Sequence, residues 1–240
     1  MVFATLWQFF PRNPFPFHLL NVLLYACTGY VLYRVLRKIF AGTNPLLAFL
    51  SASLFMIHPL HTEVVANIKS VDEILSFLFV LLTLDRLFIF LEKNRKRDLL
   101  LASLFFFFGF LSKEGTIVML AVIPLILFMF TMAPCNRILL ITGVLATAAL
   151  LFIGMRFHAL GGFSPGKKFL VEENVLVSAP DVGVRLATVF YVLFQFLKLL
   201  IVPYPLCSDY SFKQIELASW TEVMPWISLV VYLTLALIAV

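Results

Sequence analysis

Two histidines and a glutamate stand close together between two apolar stretches of the sequence. His58 and His61 are three residues apart, and Glu63 follows two residues later. Imidazole and carboxylate groups exchange protons near neutral pH, so this turn could supply a general acid or base. A zinc site is disfavoured, because metal-binding histidines on a helix usually lie four residues apart and need a third ligand. The alternative is that both histidines only form hydrogen bonds with the backbone.

Three more charged residues, Lys69, Asp72 and Glu73, precede the next apolar stretch. Ser70 and Glu73 have the spacing of a capping box, which predicts the start of a helix. Acidic residues also stabilise the first turn of a helix, so capping alone would explain both carboxylates. The second interpretation is that Asp72 and Glu73 are catalytic groups of the same site as the histidines.

Two further polar stretches could contribute to a site. Lys113 and Glu114 form one of them, and the lysine could hold a phosphate as a point charge. The alternative is that this pair only marks the boundary of the membrane. In the other stretch Asp209 follows an apolar segment, 184–202, that contains Lys198 and begins near Arg185. If that segment crosses the bilayer, Asp209 lies opposite the other clusters; if it is re-entrant, Asp209 lies with them.

The composition shows which solvent the chain needs. Hydrophobic residues make up 62% of the sequence, charged residues 13%, and the mean hydropathy is +1.02. Soluble domains carry about 25% charged residues, so lipid must surround much of this chain. We therefore predict an all-α, polytopic transmembrane helical bundle that forms one domain over residues 1–240. The net charge of +5 does not indicate a nucleic-acid partner, because in membrane proteins the placement of Lys and Arg follows topology.

Seven apolar segments are candidate spans, and short basic loops orient them. The segments are 18–40, 46–57, 74–91, 99–111, 116–132, 138–157 and 222–240. Basic clusters at 34–38, 93–97 and 137 fall on one common side, which the positive-inside rule makes cytoplasmic. The polar turns 58–73 and 112–115 then share the opposite, outer side. By helix rise, Asp85 and Arg86 lie deep toward the cytoplasm, and we predict structural roles for them.

Neither a cofactor nor a metal is indicated. The three cysteines, Cys27, Cys135 and Cys207, are isolated and form no CxxC pair, so they predict neither a metal knuckle nor a disulfide framework. A divalent metal would be compatible with the carboxylates, but no ligand spacing supports one.

Four motifs in order resemble one family of membrane enzymes. They are HLLN at 18–21, HPLHTEVVANIKSVDEIL at 58–75, SKEG at 112–115 and PLCSDYS at 205–211. This combination is similar to the transmembrane part of the TMTC-type protein O-mannosyltransferases and their bacterial relatives. The resemblance implies the GT-C fold and an integral membrane location, in the bacterial inner membrane or the endoplasmic reticulum membrane.

The resemblance also implies an activity and roles for residues. Such enzymes transfer a sugar, typically mannose, from a polyprenyl-phosphate donor to a protein hydroxyl on the outer side. By motif, the catalytic cavity would be lined by His58, His61, Glu63, Asp72 and Glu73. Lys113, Glu114 and Lys69 would lie near the donor phosphate, and Asp209 and Arg185 would belong to a later outer loop.

The chain departs from the family pattern at its start. Family members begin with another span and an acidic outer loop, and nothing before Trp7 matches that loop. Tetratricopeptide repeats, which often follow in the family, have no counterpart here. We therefore expect a fragment that is inactive alone. Two other functions stay open: a transporter or flippase of lipid-linked sugars, and a non-catalytic membrane scaffold.

Overall fold

The computed structural model describes residues 2–162, 174–207 and 214–238. The chain divides into two compact units, residues 1–163 and 164–240. Asp209 lies outside the described residues.

The described part of the first unit is built from helices, as the sequence predicts. These are α1 (Val2–Phe9), α2 (Phe15–Ile39), α3 (Pro45–Met56), α4 (His61–Ala66), α5 (Val71–Lys93), α6 (Lys96–Ser112), α7 (Met119–Phe130) and α8 (Cys135–Leu160), with a 3-10 turn at Glu114–Val118 before α7. Three of them, α2, α5 and α8, are long and apolar enough to cross a membrane. The protein is an all-α, multi-pass integral membrane protein.

Local sequence signals determine where several helices begin and end. Asn44 caps α3 by accepting a hydrogen bond from the Leu46 N–H at 2.9 Å, and Pro45 occupies the first helical position, where its missing N–H is harmless. Asn94 ends α5 and Gly161 ends α8, both with a left-handed backbone. That conformation is common just beyond a helix C-terminus, since it satisfies the last carbonyls.

Helix α5 lies at the centre of the first unit. It packs against α6 on one side and α2 on another. In the most apolar 18-residue stretch of α5, 61% of the residues are buried. Leu87 on α5 and Phe106 on α6 are fully buried. By contrast, only 28% of the residues in the equivalent stretches of α2 and α8 are buried. These two helices therefore present much of their apolar surface to lipid.

A buried carboxylate ties α2 to α5 near the ends that carry the basic residues. Asp85 is 0% exposed, and its oxygens lie 2.6 Å from Lys38 Nζ and 3.0 Å from an Arg34 nitrogen. Lys38 also donates to the Asp85 carbonyl at 2.9 Å. Arg86 lies 3.8 Å from Asp85 and 3.5 Å from Asp98 at the start of α6. These contacts confirm that Asp85 packs against another helix, and they show that Arg86 is paired within the protein.

The second unit contains α9 (Val182–Ile201), α10 (Val223–Ile238) and a 3-10 turn at Val175–Ser178. Asp181 caps α9 by accepting from the Val184 N–H at 2.9 Å. Helix α9 has the length and composition of a membrane span. Before α10, Glu222 accepts a hydrogen bond from the Ser219 N–H at 3.0 Å, which is one half of a capping box.

We expect Asp85→Asn to destabilise the protein by about 3–5 kcal/mol, because two partly buried cations lose their counter-charge. The measurement is thermal unfolding in detergent. Glu92→Gln is the matched control: Glu92 is exposed on the same helix, so its loss should change stability by about 0.5 kcal/mol or less. Replacing Asp85, Arg34 and Lys38 together by apolar residues should restore much of the loss. An Asp85→Asn protein as stable as the control would contradict this role.

Candidate functional site

The polar turn between α3 and α5 is held against α2 by two side-chain hydrogen bonds. Asn21 is 1% exposed, and its amide nitrogen donates to the Asn67 carbonyl at 2.9 Å. Tyr25, one turn later on α2, donates to the Met56 carbonyl at 2.7 Å. Both ends of the turn that carries the histidines are therefore anchored. Asn21 belongs to a motif noted in the sequence, whereas no sequence signal pointed to Tyr25.

The structure brings three histidines to one cavity. The cavity has a volume of about 340 Å³, and its lining includes His18, His58 and His61 together with Tyr25 and Met56. The rings of His58 and His61 are 6.1 Å apart. His58 Nδ1 accepts a hydrogen bond from the Leu60 N–H at 3.3 Å, so in the neutral ring the proton is on Nε2. His18 was not among the residues singled out for a role, although it lies in the first motif.

His61 is the most enclosed of these histidines. It packs against Phe55, with ring centres 4.4 Å apart, and against Tyr25 at 5.9 Å. Its Nδ1 atom is buried without a hydrogen-bond partner. Burial lowers the pKa of His61, and the charge on His58 lowers it further, while the nearby Phe55 carbonyl opposes the shift. The ring is therefore neutral at neutral pH and has a nitrogen able to accept a proton.

A second cavity, of about 180 Å³, lies on the other side of His61. Its lining includes Tyr25, Phe55, His61 and Glu73. Glu73 forms a salt bridge with Lys113, and both side chains are partly exposed. The lysine thus has a carboxylate partner within the first unit. The predicted capping box is wrong, because Ser70 makes no side-chain cap on α5 and the Glu73 carboxylate reaches Lys113 instead.

A threonine that the sequence did not indicate fixes the position of Lys113. The Thr116 hydroxyl lies 2.7 Å from the Lys113 carbonyl, 3.0 Å from the Gly109 carbonyl and 2.8 Å from the Ser76 hydroxyl. A side chain at Gly109 would meet the Thr116 methyl group at 3.1 Å. Glu73 and Ser76, one helical turn apart on α5, therefore hold Lys113 and Thr116 at two successive points.

The remaining predicted site residues are more scattered. Glu114 forms a salt bridge with Arg156 near the end of α8. Glu63 and Lys69 are exposed and Asp72 is partly buried, and none of the three has a side-chain contact with the histidines among the described hydrogen bonds and ion pairs. Arg185 is exposed in the first turn of α9, in the second unit. Within the described residues, no group of three or more His, Cys, Asp or Glu side chains could hold a metal ion.

The arrangement of helices and motifs agrees with a family match over most of the first unit. The family model described as dolichyl-phosphate-mannose-protein mannosyltransferase matches residues 2–157. The chain belongs to this family. The second unit matches another family model, protein O-mannosyl-transferase TMTC, DUF1736, over residues 164–236. Together the two matches confirm the resemblance to the TMTC-type proteins.

Curated relatives are also named protein O-mannosyl-transferases. Protein O-mannosyl-transferase TMTC1 of Homo sapiens is 40% identical over 87 residues, which cover 36% of this chain and 9% of that protein. Protein O-mannosyl-transferase F38B6.6 of Caenorhabditis elegans is 29% identical over 198 residues, covering 81% of this chain and 27% of that protein. TMTC2 of Homo sapiens is 28% identical over 227 residues, covering 85% and 26%. The chain therefore spans about a quarter or less of these relatives. No solved structure matches it.

We expect acid to destabilise the polar turn between α3 and α5 through His61. Since its pKa is lower in the folded protein than in the unfolded chain, the unfolded state binds more protons, and stability rises with pH. The stability that the neutral ring contributes is complete above about pH 6.5, the unfolded value, and is lost as pH falls through the lower folded value. The melting temperature at pH 5 and pH 7.5 measures this effect.

The variant His61→Phe isolates the residue, because a phenyl ring can pack between Phe55 and Tyr25 and does not titrate. Its melting temperature should depend less on pH than that of the natural sequence. His158→Phe, at the exposed end of α8, is the control and should keep the full dependence. Equal pH dependence in His61→Phe and the natural sequence would show that His61 is not the titrating group.

Proposed function

We propose that the chain forms part of a membrane glycosyltransferase that moves mannose from a polyprenyl-phosphate donor to a serine or threonine of a protein. Transfer takes place on the outer face of the membrane, which is the lumen if the protein resides in the endoplasmic reticulum. Family membership supports the reaction class, and the names of the curated relatives support mannose and a protein acceptor.

The observation that carries the proposal is the position of one enclosed histidine. His61 lies between two cavities at the outer ends of α2, α3 and α5, close to the Glu73–Lys113 salt bridge. The basic ends of α2, α5 and α6 lie at the opposite ends of these helices, which the positive-inside rule makes cytoplasmic. A base and a cation therefore lie together on the side where the family performs its transfer.

The chemistry needs one proton acceptor and one group to stabilise the departing phosphate. The acceptor hydroxyl gives up its proton, its oxygen forms a bond to the anomeric carbon, and the bond from that carbon to the phosphate oxygen breaks. His61 suits the first task, since its lowered pKa keeps it neutral and its ring lines both cavities. His58, Glu63, Asp72 and Glu73 are the other candidates for proton transfer and positioning.

Lys113 suits the second task because its present partner is replaceable. A partly exposed ion pair contributes only about 0–1 kcal/mol, so exchanging Glu73 for a phosphate costs little. A phosphate provides more acceptor oxygens for the ammonium than a carboxylate does. Lys69 and Glu114 remain candidates for this region, while Asp209 and Arg185 are candidates for an outer loop of the second unit.

The direct test measures transfer of radiolabelled mannose from polyprenyl-phosphate mannose to protein, in membranes that contain the natural gene product. We expect His61→Asn to lower transfer about 10²-fold or more, which is the usual contribution of a general base. Glu92→Gln, at the cytoplasmic end of α5, should leave transfer unchanged. Full transfer by His61→Asn would contradict the role of His61, and absence of transfer by the natural gene product would contradict the function itself.

The salt bridge is tested by exchanging its charges. Lys113→Met should reduce transfer by weakening donor binding, seen as a higher KM for the donor. The double variant Glu73→Lys with Lys113→Glu keeps the bridge and places the cation on α5. If Lys113 only supports the fold, the exchanged pair restores transfer fully. If either position needs its own charge, because Lys113 binds phosphate or Glu73 takes part in proton transfer, transfer stays low while the melting temperature recovers. A raised KM for the donor in Lys113→Met then assigns the loss to phosphate binding.

A further inference from the structure

The second unit contains a polar stripe along a helix of membrane length. Thr188, Tyr191, Gln195 and Lys198 follow one another at intervals of three or four residues on α9, so they lie on one face. On the other face, Leu186, Phe196 and Leu200 are exposed and apolar. Polar residues within a membrane helix usually face protein or water and usually have a function.

After α9 ends at Ile201, the chain returns along this stripe. The Ala218 N–H donates to the Thr188 hydroxyl at 3.1 Å, and Ala218 is 2% exposed. Thr188 precedes the end of α9 by 13 residues, which corresponds to about 20 Å of helix. Residue 218 therefore lies beside the N-terminal half of α9, although α9 ends about 20 Å away. Residues 216–219 are non-helical.

Helix α10 then starts beside the N-terminal half of α9. Trp220 packs on Phe190 with ring centres 5.7 Å apart, and Trp226 packs on Trp220 at 4.9 Å. Further along both helices, the Tyr232 hydroxyl lies 3.4 Å from the Leu193 carbonyl. The two helices therefore run in the same direction, with the start of α10 beside the N-terminal half of α9.

Between the stripe and the returning segment lies a cavity of about 250 Å³. Its lining includes Tyr191, Gln195 and Lys198 from α9 and Gln214 and Ile215 from the return. Gln195 donates its amide to the Tyr191 oxygen at 2.7 Å, which leaves the Tyr191 proton available to a ligand. Among the described residues, Lys198 has no ion pair. The cavity thus offers several hydrogen-bond donors and one positive charge.

We propose that this cavity is a hydrated anion site that holds a phosphate group. Non-helical backbone at membrane depth is tolerated only where it is buried in protein or lines water, and the stripe supplies such a polar lining. The donors match the acceptor oxygens of a phosphate, and Lys198 matches its charge. The volume lies below the roughly 300–1,000 Å³ of sites for drug-sized ligands, which fits one small head group. The site stands on the second unit alone and is independent of the proposed transferase activity.

The test uses cysteine labelling in the full natural gene product, reconstituted in vesicles of digalactosyldiacylglycerol, a neutral lipid whose head group contains no phosphate. Cys27, Cys135 and Cys207 are replaced by serine, and Ile215→Cys places a thiol in the cavity. We expect this thiol to react with membrane-impermeant methanethiosulfonates, of which one is anionic and one cationic. Phe196→Cys, on the apolar face of the same helix, should not react. An unreactive Ile215→Cys would overturn the hydrated cavity.

The charge of Lys198 is tested by the ratio of the two labelling rates. Fixed charge in a cleft concentrates counter-ions by tenfold or more, so Lys198→Met should lower the ratio of anionic to cationic labelling about tenfold. Lys198→Arg should preserve the ratio. An unchanged ratio in Lys198→Met would overturn the anion site, even if the cavity is hydrated.

The source of the phosphate is distinguished by protection from labelling. Slower labelling of Ile215→Cys with added inorganic phosphate supports a soluble phosphate ligand. Slower labelling in vesicles that contain phosphatidic acid, compared with neutral vesicles, supports a lipid head group. Protection by neither would overturn the assignment of a phosphate ligand. Lys198→Met should abolish whichever protection is found.

Discussion

The structure of the first unit depends on a single buried carboxylate. Asp85 has no exposed surface, and it would be strongly unfavourable in hydrocarbon without the cations of Arg34 and Lys38 on the neighbouring helix. Its requirement for both partners fixes the relative height and rotation of α2 and α5. Since the polar turn between α3 and α5 is anchored to α2 through Asn21 and attached to α5 by the chain, an interaction at one end of these helices also determines how His61 and Glu73 lie at the other end.

The distribution of charge divides the first unit into two ends with different properties. At the end with the basic residues the Asp85 carboxylate is fully buried, so removing its partners is costly. At the opposite end both side chains of the Glu73–Lys113 bridge are partly exposed, so the bridge contributes little to stability. Charged groups that can change partners at low cost are suited to binding a charged ligand. The same types of residue therefore stabilise the fold at one end and remain available for chemistry at the other.

Much of the fold could be predicted from the sequence, because hydropathy and basic loops respond directly to the membrane. All eight apolar segments correspond to helices. The details of the site could not be predicted. Whether Glu73 caps its own helix or reaches Lys113 depends on how closely α5 and α6 approach, which Gly109 and Thr116 decide at long range. The packing of Ala218 against Thr188 was equally hidden, since apolar length does not show which residues of a later segment contact a helix.

Enclosure of His61 links the packing of the outer turn to its chemistry. An imidazole in water is partly protonated near neutral pH, and only its neutral form can accept a proton. Contact with Phe55 and Tyr25 favours the neutral form, and Nδ1 is buried without a hydrogen-bond partner that would stabilise a charge. The same burial makes the turn sensitive to acid, because protonating His61 leaves a charge in apolar surroundings. Reactivity at neutral pH and instability at low pH thus have one physical cause.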